Sequence, residues 1–298
     1  MPEATRWSLI VHGGAKTIDP ALHDRNRAGC TAAAEAGAAV LRAGGSAVFA
    51  AEVAVRVLED DPVFNAGFGS VLTSDGTVEM DAAMMEGSGL TLGAVAGVRR
   101  VRNPVSVARL MLPARPVLLA GDGAERFATD HGMALVDPET MISREALAFE
   151  HAKAHDTVGC VAIDATGAIA AATSTGGLPG KHPGRIGDSP IAGAGLYADD
   201  TLGGCAFSGD GEAILRTLLA AQVMHALERG GSATEAAEHA IARLGRVGGE
   251  AGAIVIERSG AFGIAHNSDH FALALHASGL DAPRAGVHRD ELKDLLHG

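Results

Sequence analysis

Aromatic side chains are scarce, at 3 % of the 298 residues, with Trp7 and Tyr197 the only Trp and Tyr. A single-strand nucleic-acid binder built on stacking platforms is therefore not expected. Basic residues are also few, 24 against 36 acidic ones, for a net charge of −12. That balance disfavours DNA, RNA and anionic membranes as partners, because phosphate binding needs clustered Lys and Arg. The three cysteines, Cys30, Cys160 and Cys205, are an odd number with no CxxC pair, which speaks against a disulfide framework or a zinc knuckle. No apolar run reaches the length of a membrane span. The N-terminal stretch has no basic start leading into an apolar core, so no signal peptide is expected and the cytoplasm is the expected compartment. GxxxxGK[ST], HExxH and GxSxG are all missing.

What is abundant is glycine, 40 residues, about twice the usual ~7 %. With many alanines beside it, glycine marks a chain of tight turns and close backbone approaches. The hydrophobic share, 47 %, is enough for a sizeable core. Ser8–Val11 reads as a buried strand entering His12-Gly13-Gly14. Helical periodicity covers about Asp24–Ala43, stopped by Gly44-Gly45. A second helix is expected from a Ser46 cap to Asp60, before Pro62. Strand-like pieces follow at Ser70–Leu72, Val78–Ala83 and Gly93–Val98, then a helix from Asn103-Pro104 to Met111 and an apolar run at Val117–Ala120.

Residues 138–156 are polar, charged and without firm pattern, which predicts a flexible linker. After it, Val158–Ile163 and Ala168–Thr173 flank Asp164-Ala165-Thr166-Gly167, a hairpin signature. Helices fit Glu212–Arg229 and Ser232–Leu244, and Ala253–Glu257 with Ala261–His266 form a strand pair. The last 18 residues read as peripheral. The whole suggests helix layers packed on sheets.

Thirteen histidines raise a metal-dependent amidohydrolase as one reading. His151 and His155 share a helix face at i, i+4, but no third ligand stands at a matching spacing. Gly87-Ser88-Gly89 lacks the spacing of a dinucleotide loop. The densest chemistry lies between 155 and 212: His155-Asp156-Thr157-Val158-Gly159, then Thr173-Ser174-Thr175, Gly184-Arg185-Ile186-Gly187-Asp188-Ser189, and Ser208-Gly209-Asp210-Gly211-Glu212. Each segment alone has an ordinary structural reading. Together they gather a nucleophile, supporting hydroxyls, an Arg–Asp couple and a Gly turn offering backbone donors.

The segments HDTVGCVAIDATGAIAAATSTGG, GRIGDSPIAGAGLYADD and SGDGE, with IVHGGA and DPVFNAGFGSVLTSDGTVEMDAAMMEG before them, resemble the plant-type L-asparaginases and isoaspartyl (β-aspartyl) peptidases. These are N-terminal-nucleophile hydrolases, and the likeness covers nearly the whole chain. It implies an α+β fold, a four-layer αββα sandwich forming a single domain over 1–298. It also implies autoproteolysis between Asp156 and Thr157 into an α subunit (1–156) and a β subunit (157–298). The matched positions imply that Thr157 is the nucleophile, with its freed α-amino group as base and no catalytic cofactor. Thr175 would hold its rotamer, Ser208 and Gly209 would form an oxyanion hole, and Asn65 would approach from the other subunit. Arg185 would take the substrate α-carboxylate and Asp188 its ammonium, with Asp210 and Gly211 lining the pocket. A sodium ion would sit on backbone carbonyls of Leu58, Glu59, Asp61, Phe64, Ala66 and Phe68.

The implied substrates are small molecules, asparagine and β-aspartyl dipeptides that release L-aspartate, and the implied assembly is (αβ)2. Glycosylasparaginase chemistry and an uncleaved, non-enzymatic homologue are the alternatives. Three departures stand out. Asp156 replaces the Gly usual before the nucleophile in plant-type members, Ser208 stands where Thr is usual, and Asp210 puts a carboxylate at a variable position.

Overall fold

The computed structural model describes residues 7–148 and 156–295. The chain runs β1 (Ser8–Lys16), α1 (His23–Arg42), α2 (Ala47–Asp60), β2 (Met80–Glu86), β3 (Thr91–Val98), α3 (Pro104–Met111), β4 (Leu118–Ala120), α4 (Gly121–Asp130) and α5 (Arg144–Ala148). It continues with β5 (Val158–Ile163), β6 (Ile169–Thr175), β7 (Leu196–Asp199), β8 (Gly203–Gly209), α6 (Gly211–Thr217), α7 (Leu219–Glu228), α8 (Ala233–Arg243), β9 (Ala251–Glu257), β10 (Phe262–His266), β11 (His270–Ala277) and β12 (Arg284–Gly286).

Eight strands form one sheet in the order β12-β11-β1-β5-β6-β2-β3-β4, and four form a second in the order β10-β9-β8-β7. Three apolar clusters mark the interfaces between layers. One joins α1–α4 to the outer face of the large sheet, a second lies between the sheets, and a third joins the small sheet to α7 and α8. The architecture is therefore α+β, with the layer order αββα. Small residues set its tightness: a Cβ on Gly37 of α1 would stand 2.5 Å from Leu9 Cδ1 and 3.0 Å from the Ala50 carbonyl of α2. Among the described residues no helix is long and apolar enough to cross a membrane.

Local chemistry explains the elements that carry the site. At the β5–β6 turn, Asp164 Oδ1 accepts from Thr166 N (2.8 Å) and Thr166 Oγ1 (2.6 Å), while Gly167 takes φ +86°. That Asx turn fixes the hairpin register. Val158 thereby pairs with Ser174, which leaves Thr157 at the mouth of the pair beside Thr175. β1 pairs with β5 on the other edge, His12 opposite Gly159, so the His-Gly-Gly segment crosses beneath the same end.

Three expectations need correction. The helix expected over Glu212–Arg229 is two helices, broken where Leu218 adopts φ 51°, ψ 56°. The C-terminal region is not peripheral, because β12 pairs with β11, and Val287 and Leu292 are fully buried. The expected linker contains a 3-10 turn at Pro138–Met141 and α5; its residues 149–155, including His151 and His155, lie outside the described residues. Gly87-Ser88-Gly89 belongs to the tight β2–β3 connection rather than to a strand–helix junction.

Candidate active site

Thr157 is buried at the start of β5, and its hydroxyl donates to Thr175 Oγ1 at 3.1 Å and lies 3.3 Å from Ser189 Oγ. Ser189 is itself anchored, since Thr173 Oγ1 donates to its carbonyl at 2.7 Å. The carbonyl of the preceding residue, Asp156, accepts from two side chains at once, Asn65 Nδ2 at 3.2 Å and Thr175 Oγ1 at 3.1 Å. Two donors on one peptide carbonyl next to a hydroxyl form an arrangement that would stabilise negative charge on that oxygen.

Asn65 is rigid because all its amide capacity on this side is used. It also donates to Gly177 O at 2.7 Å, and its Oδ1 accepts from Val71 N at 3.0 Å. Gly176 must be glycine for this approach, as a Cβ there would stand 2.3 Å from Asn65 Oδ1. Ser208 Oγ, from β8, accepts from Thr157 N at 3.1 Å and from Ala15 N at 3.0 Å. It thus ties the small sheet to the end of β1.

The pocket over Thr157 is walled by Asp156, Thr175, Gly177, Arg185, Asp188, Gly209 and Gly211, among others, and leaves free space of only ≈ 10 Å³, about one water's worth. Asp188 is fully buried there. Its Oδ2 has no hydrogen-bond partner, and burial pushes the carboxyl up from its ordinary 3.8 to about 7 against the lowering pull of Arg185. An unsatisfied carboxylate in a pocket asks for a cation. Arg185 points its fork at Glu212 rather than at Asp188, with Nε to Oε1 at 2.9 Å and Nη2 to Oε2 at 2.6 Å. A Cβ on Gly211 would stand 2.8 Å from Arg185 Nη2 and 3.0 Å from Asp188 Oδ1, so the bare Gly backbone lets the two groups close over it. Asp210 faces elsewhere: its Oδ1 accepts from Ala213 N at 3.2 Å and caps α6.

The 58–69 segment folds back tightly on the end of α2, with Phe64 N–H donating to Asp61 O at 3.2 Å and Gly69 N–H to Ala66 O at 2.9 Å. Leu58 and Glu59 belong to the last turn of α2, whose carbonyls lack intrahelical donors. A Cβ on Gly69 would stand 2.0 Å from Phe64 O and 3.1 Å from Asp61 O, and one on Gly67 2.5 Å from Glu59 O. The Glu59 carboxyl is buried, and desolvation raises it to about 8. Its Oε1 accepts from Ser174 Oγ at 2.7 Å, linking this loop to β6. Among the described residues no cluster of three His, Cys, Asp or Glu side chains is placed to hold a metal ion.

Four residues at the site carry no assignment from sequence reading: His12, Lys16, Ser189 and Glu212. His12 is completely buried beneath Gly159, and burial drives its imidazole down to about 3, so it is neutral. Lys16 forms an ion pair with the Asp156 carboxylate. Ser189 and Glu212 stand inside the segments GRIGDSP and SGDGE, next to residues that the sequence does single out. The Lys16–Asp156 pair had no signal at all, being separated by 140 positions.

The asparaginase family profile matches residues 5–149 and 143–282. The chain is 43 % identical over 268 residues to the isoaspartyl peptidase/L-asparaginase of Rattus norvegicus, covering 85 % of this chain and 80 % of that one. It is 40 % identical over 309 residues to the isoaspartyl peptidase of Salmonella typhimurium, covering 95 % and 98 %. To the Homo sapiens isoaspartyl peptidase/L-asparaginase it is 41 % identical over 268 residues, covering 85 % and 87 %. With the profile spanning most of its length and relatives aligned almost end to end, the chain belongs to the asparaginase family.

Proposed function

We propose that this protein is an amidohydrolase that releases L-aspartate from asparagine and from β-aspartyl (isoaspartyl) peptides, after cutting its own chain before Thr157. One observation carries the reading. A hydroxyl held by a second threonine stands over a pocket whose walls offer a guanidinium, Arg185, and a buried carboxylate with an unpartnered oxygen, Asp188. That is the complement of an α-amino acid, carboxylate to one side and ammonium to the other. The names of the relatives point to the same substrates.

In the cleavage step Thr157 Oγ adds to the Asp156 carbonyl carbon, whose oxygen is supported by Asn65 and Thr175. The C–N bond breaks and the hydroxyl proton passes to the departing nitrogen, leaving an ester. Water then hydrolyses the ester, giving the Asp156 α-carboxylate and restoring the hydroxyl. The product carries a free α-amino group on Thr157, with an ordinary pKa of about 7.7–8.0, suited to act as base for its own hydroxyl.

In turnover Thr157 attacks the substrate side-chain amide, forming an acyl-enzyme and expelling ammonia or an amine. Ser208 Oγ and Gly209 N–H support the oxyanion. Backbone carbonyls of the 58–68 segment, at the negative end of α2, would suit a hard monovalent cation such as sodium; held there, the ion would brace the loop that presents Asn65. Three buried, unpaired thiols, Cys30, Cys160 and Cys205, agree with a reducing, cytoplasmic compartment, and an (αβ)2 assembly completes the reading.

Intact-mass spectrometry tests the proposal directly. The expected fragments are about 16 and 14 kDa, the 30.1 kDa of the chain shared between 156 and 142 of its 298 residues, with Thr157 as new N-terminus. Thr157→Ala is expected to stay whole and inactive. Assays on asparagine, β-aspartyl dipeptides and glycosylasparagine then rank the substrates. A cut Thr157→Ala chain would remove Thr157 as nucleophile, and an active uncut chain would remove the maturation step.

A further inference from the structure

Two charges beside the scissile bond have no part in the chemistry above. Lys16 ends β1, Asp156 precedes Thr157, and their side chains form an ion pair with relative exposures of 5 % and 0 %. Burying such a pair costs desolvation that its own attraction barely repays. A buried pair next to a reacting peptide therefore calls for an explanation beyond stability.

The fold makes specific room for it. Gly14 adopts φ +116°, and a Cβ there would stand 1.4 Å from Asp156 Oδ1, so only glycine admits the Asp156 carboxylate. The neighbouring Ala15 N–H reaches the same Ser208 Oγ that accepts from Thr157 N. Three successive residues at the end of β1 thus grip the scissile unit: Gly14 beneath the carboxylate, Ala15 through Ser208, and Lys16 on the carboxylate itself.

We infer that Lys16 is a positioning residue for self-cleavage, acting through Asp156. The Asp156 carbonyl is already held by Asn65 and Thr175, and the nitrogen of the scissile peptide, Thr157 N, by Ser208 Oγ of β8. The Lys16 ammonium adds a fixed point on the side chain, so that the residue cannot swivel its carbonyl away from Thr157 Oγ. Lys16 is the counter-charge for the carboxylate that Asp156 buries there. This inference rests on the maturation reading of the previous subsection.

The test follows the rate at which the Thr157 N-terminus appears, by intact mass, in full-length protein purified cold and then warmed. Misplacing a reacting group by about 1 Å can cost on the order of 10²-fold, and Lys16→Met is expected to slow cleavage by about that factor. Lys16→Arg, which keeps the charge, is expected to stay within about tenfold of wild type on the same reasoning. In an Asp156→Ala background, adding Lys16→Met is expected to change nothing, because Lys16 has lost the group it acts through. A purely structural lysine would slow both backgrounds alike. Wild-type cleavage by Lys16→Met, or equal slowing with and without Asp156, overturns the inference. Should near-UV circular dichroism show Lys16→Met unfolded, Lys16→Gln takes its place with the same two outcomes. A wild-type chain that never cuts overturns the maturation reading itself, and is told apart by that control alone.

Discussion

Arg185 meets Glu212 through two parallel hydrogen bonds, Nε to Oε1 at 2.9 Å and Nη2 to Oε2 at 2.6 Å. The pairing leaves Nη1 on the side of Gly177 and Gly187, two glycines of the pocket wall where an added Cβ would stand 3.4 and 2.9 Å from it. Glu212 therefore holds the guanidinium from outside, with one nitrogen turned toward the space a substrate carboxylate would fill.

From this arrangement the two residues should separate in kinetics. Glu212 is 56 % exposed, so the pair is solvent-screened and worth about 0.2–1 kcal/mol. Glu212→Ala is expected to raise KM by a few-fold and leave kcat nearly unchanged. Arg185→Ala removes the charged partner itself, worth about 1.5–3 kcal/mol, and is expected to raise KM by ten- to a hundredfold on the same scale. Steady-state kinetics on a β-aspartyl dipeptide reads both. A larger KM effect from Glu212→Ala than from Arg185→Ala would move the carboxylate site.

The double donation to Asp156 O predicts a defect in cutting rather than in folding. Asn65→Ala and Thr175→Val each remove one donor from that oxygen, and losing one such donor typically costs about 10²–10³ in rate. Thr175→Val is the sharper variant, because Thr175 Oγ1 also accepts from Thr157 and from Gly177 N. The expected result is a full-length chain persisting for hours under conditions in which wild type is cut, with unchanged far-UV circular dichroism. Wild-type kinetics in either variant would show that its contact with the carbonyl does not matter.

Much of this site could be read from one contiguous stretch. Thr157, Thr175, Arg185, Asp188 and Ser208 stand within 52 positions, on a hairpin whose Asp164–Gly167 turn and alternating apolar runs declare themselves. Pairings between distant positions could not be read: neither Lys16 with Asp156 nor Arg185 with Glu212 follows from any spacing rule. The break at Leu218 was hidden because leucine seldom takes a positive φ, while apolar periodicity continues on both sides of it. β12 escaped notice because three residues are too few to show a period of two. The sheet order itself, with β1 between β11 and β5, depends on contacts across the whole chain, which local pattern does not encode.

The sodium site proposed at the end of α2 makes monovalent cations a variable. Exchange of sodium for N-methylglucamine is expected to lower Tm by about 5 °C, since a ligand at a hundred times its Kd contributes about 2.7 kcal/mol. The loop presents Asn65, so kcat/KM should fall in the same titration while global fold persists. Glu59→Gln, which keeps a hydrogen-bonding group next to Ser174 and removes a buried carboxyl, should leave the sodium response intact because the ligands are backbone oxygens. A Tm and kcat/KM indifferent to sodium would leave the segment as a loop bend only.

With Asp188 proposed to hold the α-ammonium, the affinity for aspartate should depend on pH in a calculable direction. Burial is the largest cause of its rise from 3.8 to about 7, with Glu212 and Asp81 adding to it and Arg185 opposing. A carboxyl raised in the folded state is stabilising while protonated. Its folding penalty is absent below 3.8, grows between 3.8 and about 7, and is complete above that range. An α-ammonium bound at Asp188 removes the penalty, so the Kd for L-aspartate should fall as pH rises through about 7 and level off beyond it. Titration calorimetry with the product avoids the chemical step; the Thr157 amine still titrates, but its loss of charge at about 7.7–8.0 weakens rather than tightens the binding of a carboxylate. Asp188→Asn should abolish this limb, bind aspartate weakly at every pH, and melt higher than wild type at pH 8 though not at pH 4, because the buried charge is gone. A wild-type Kd flat from pH 5.5 to 8.5, or a limb that survives in Asp188→Asn, would place the ammonium on another group.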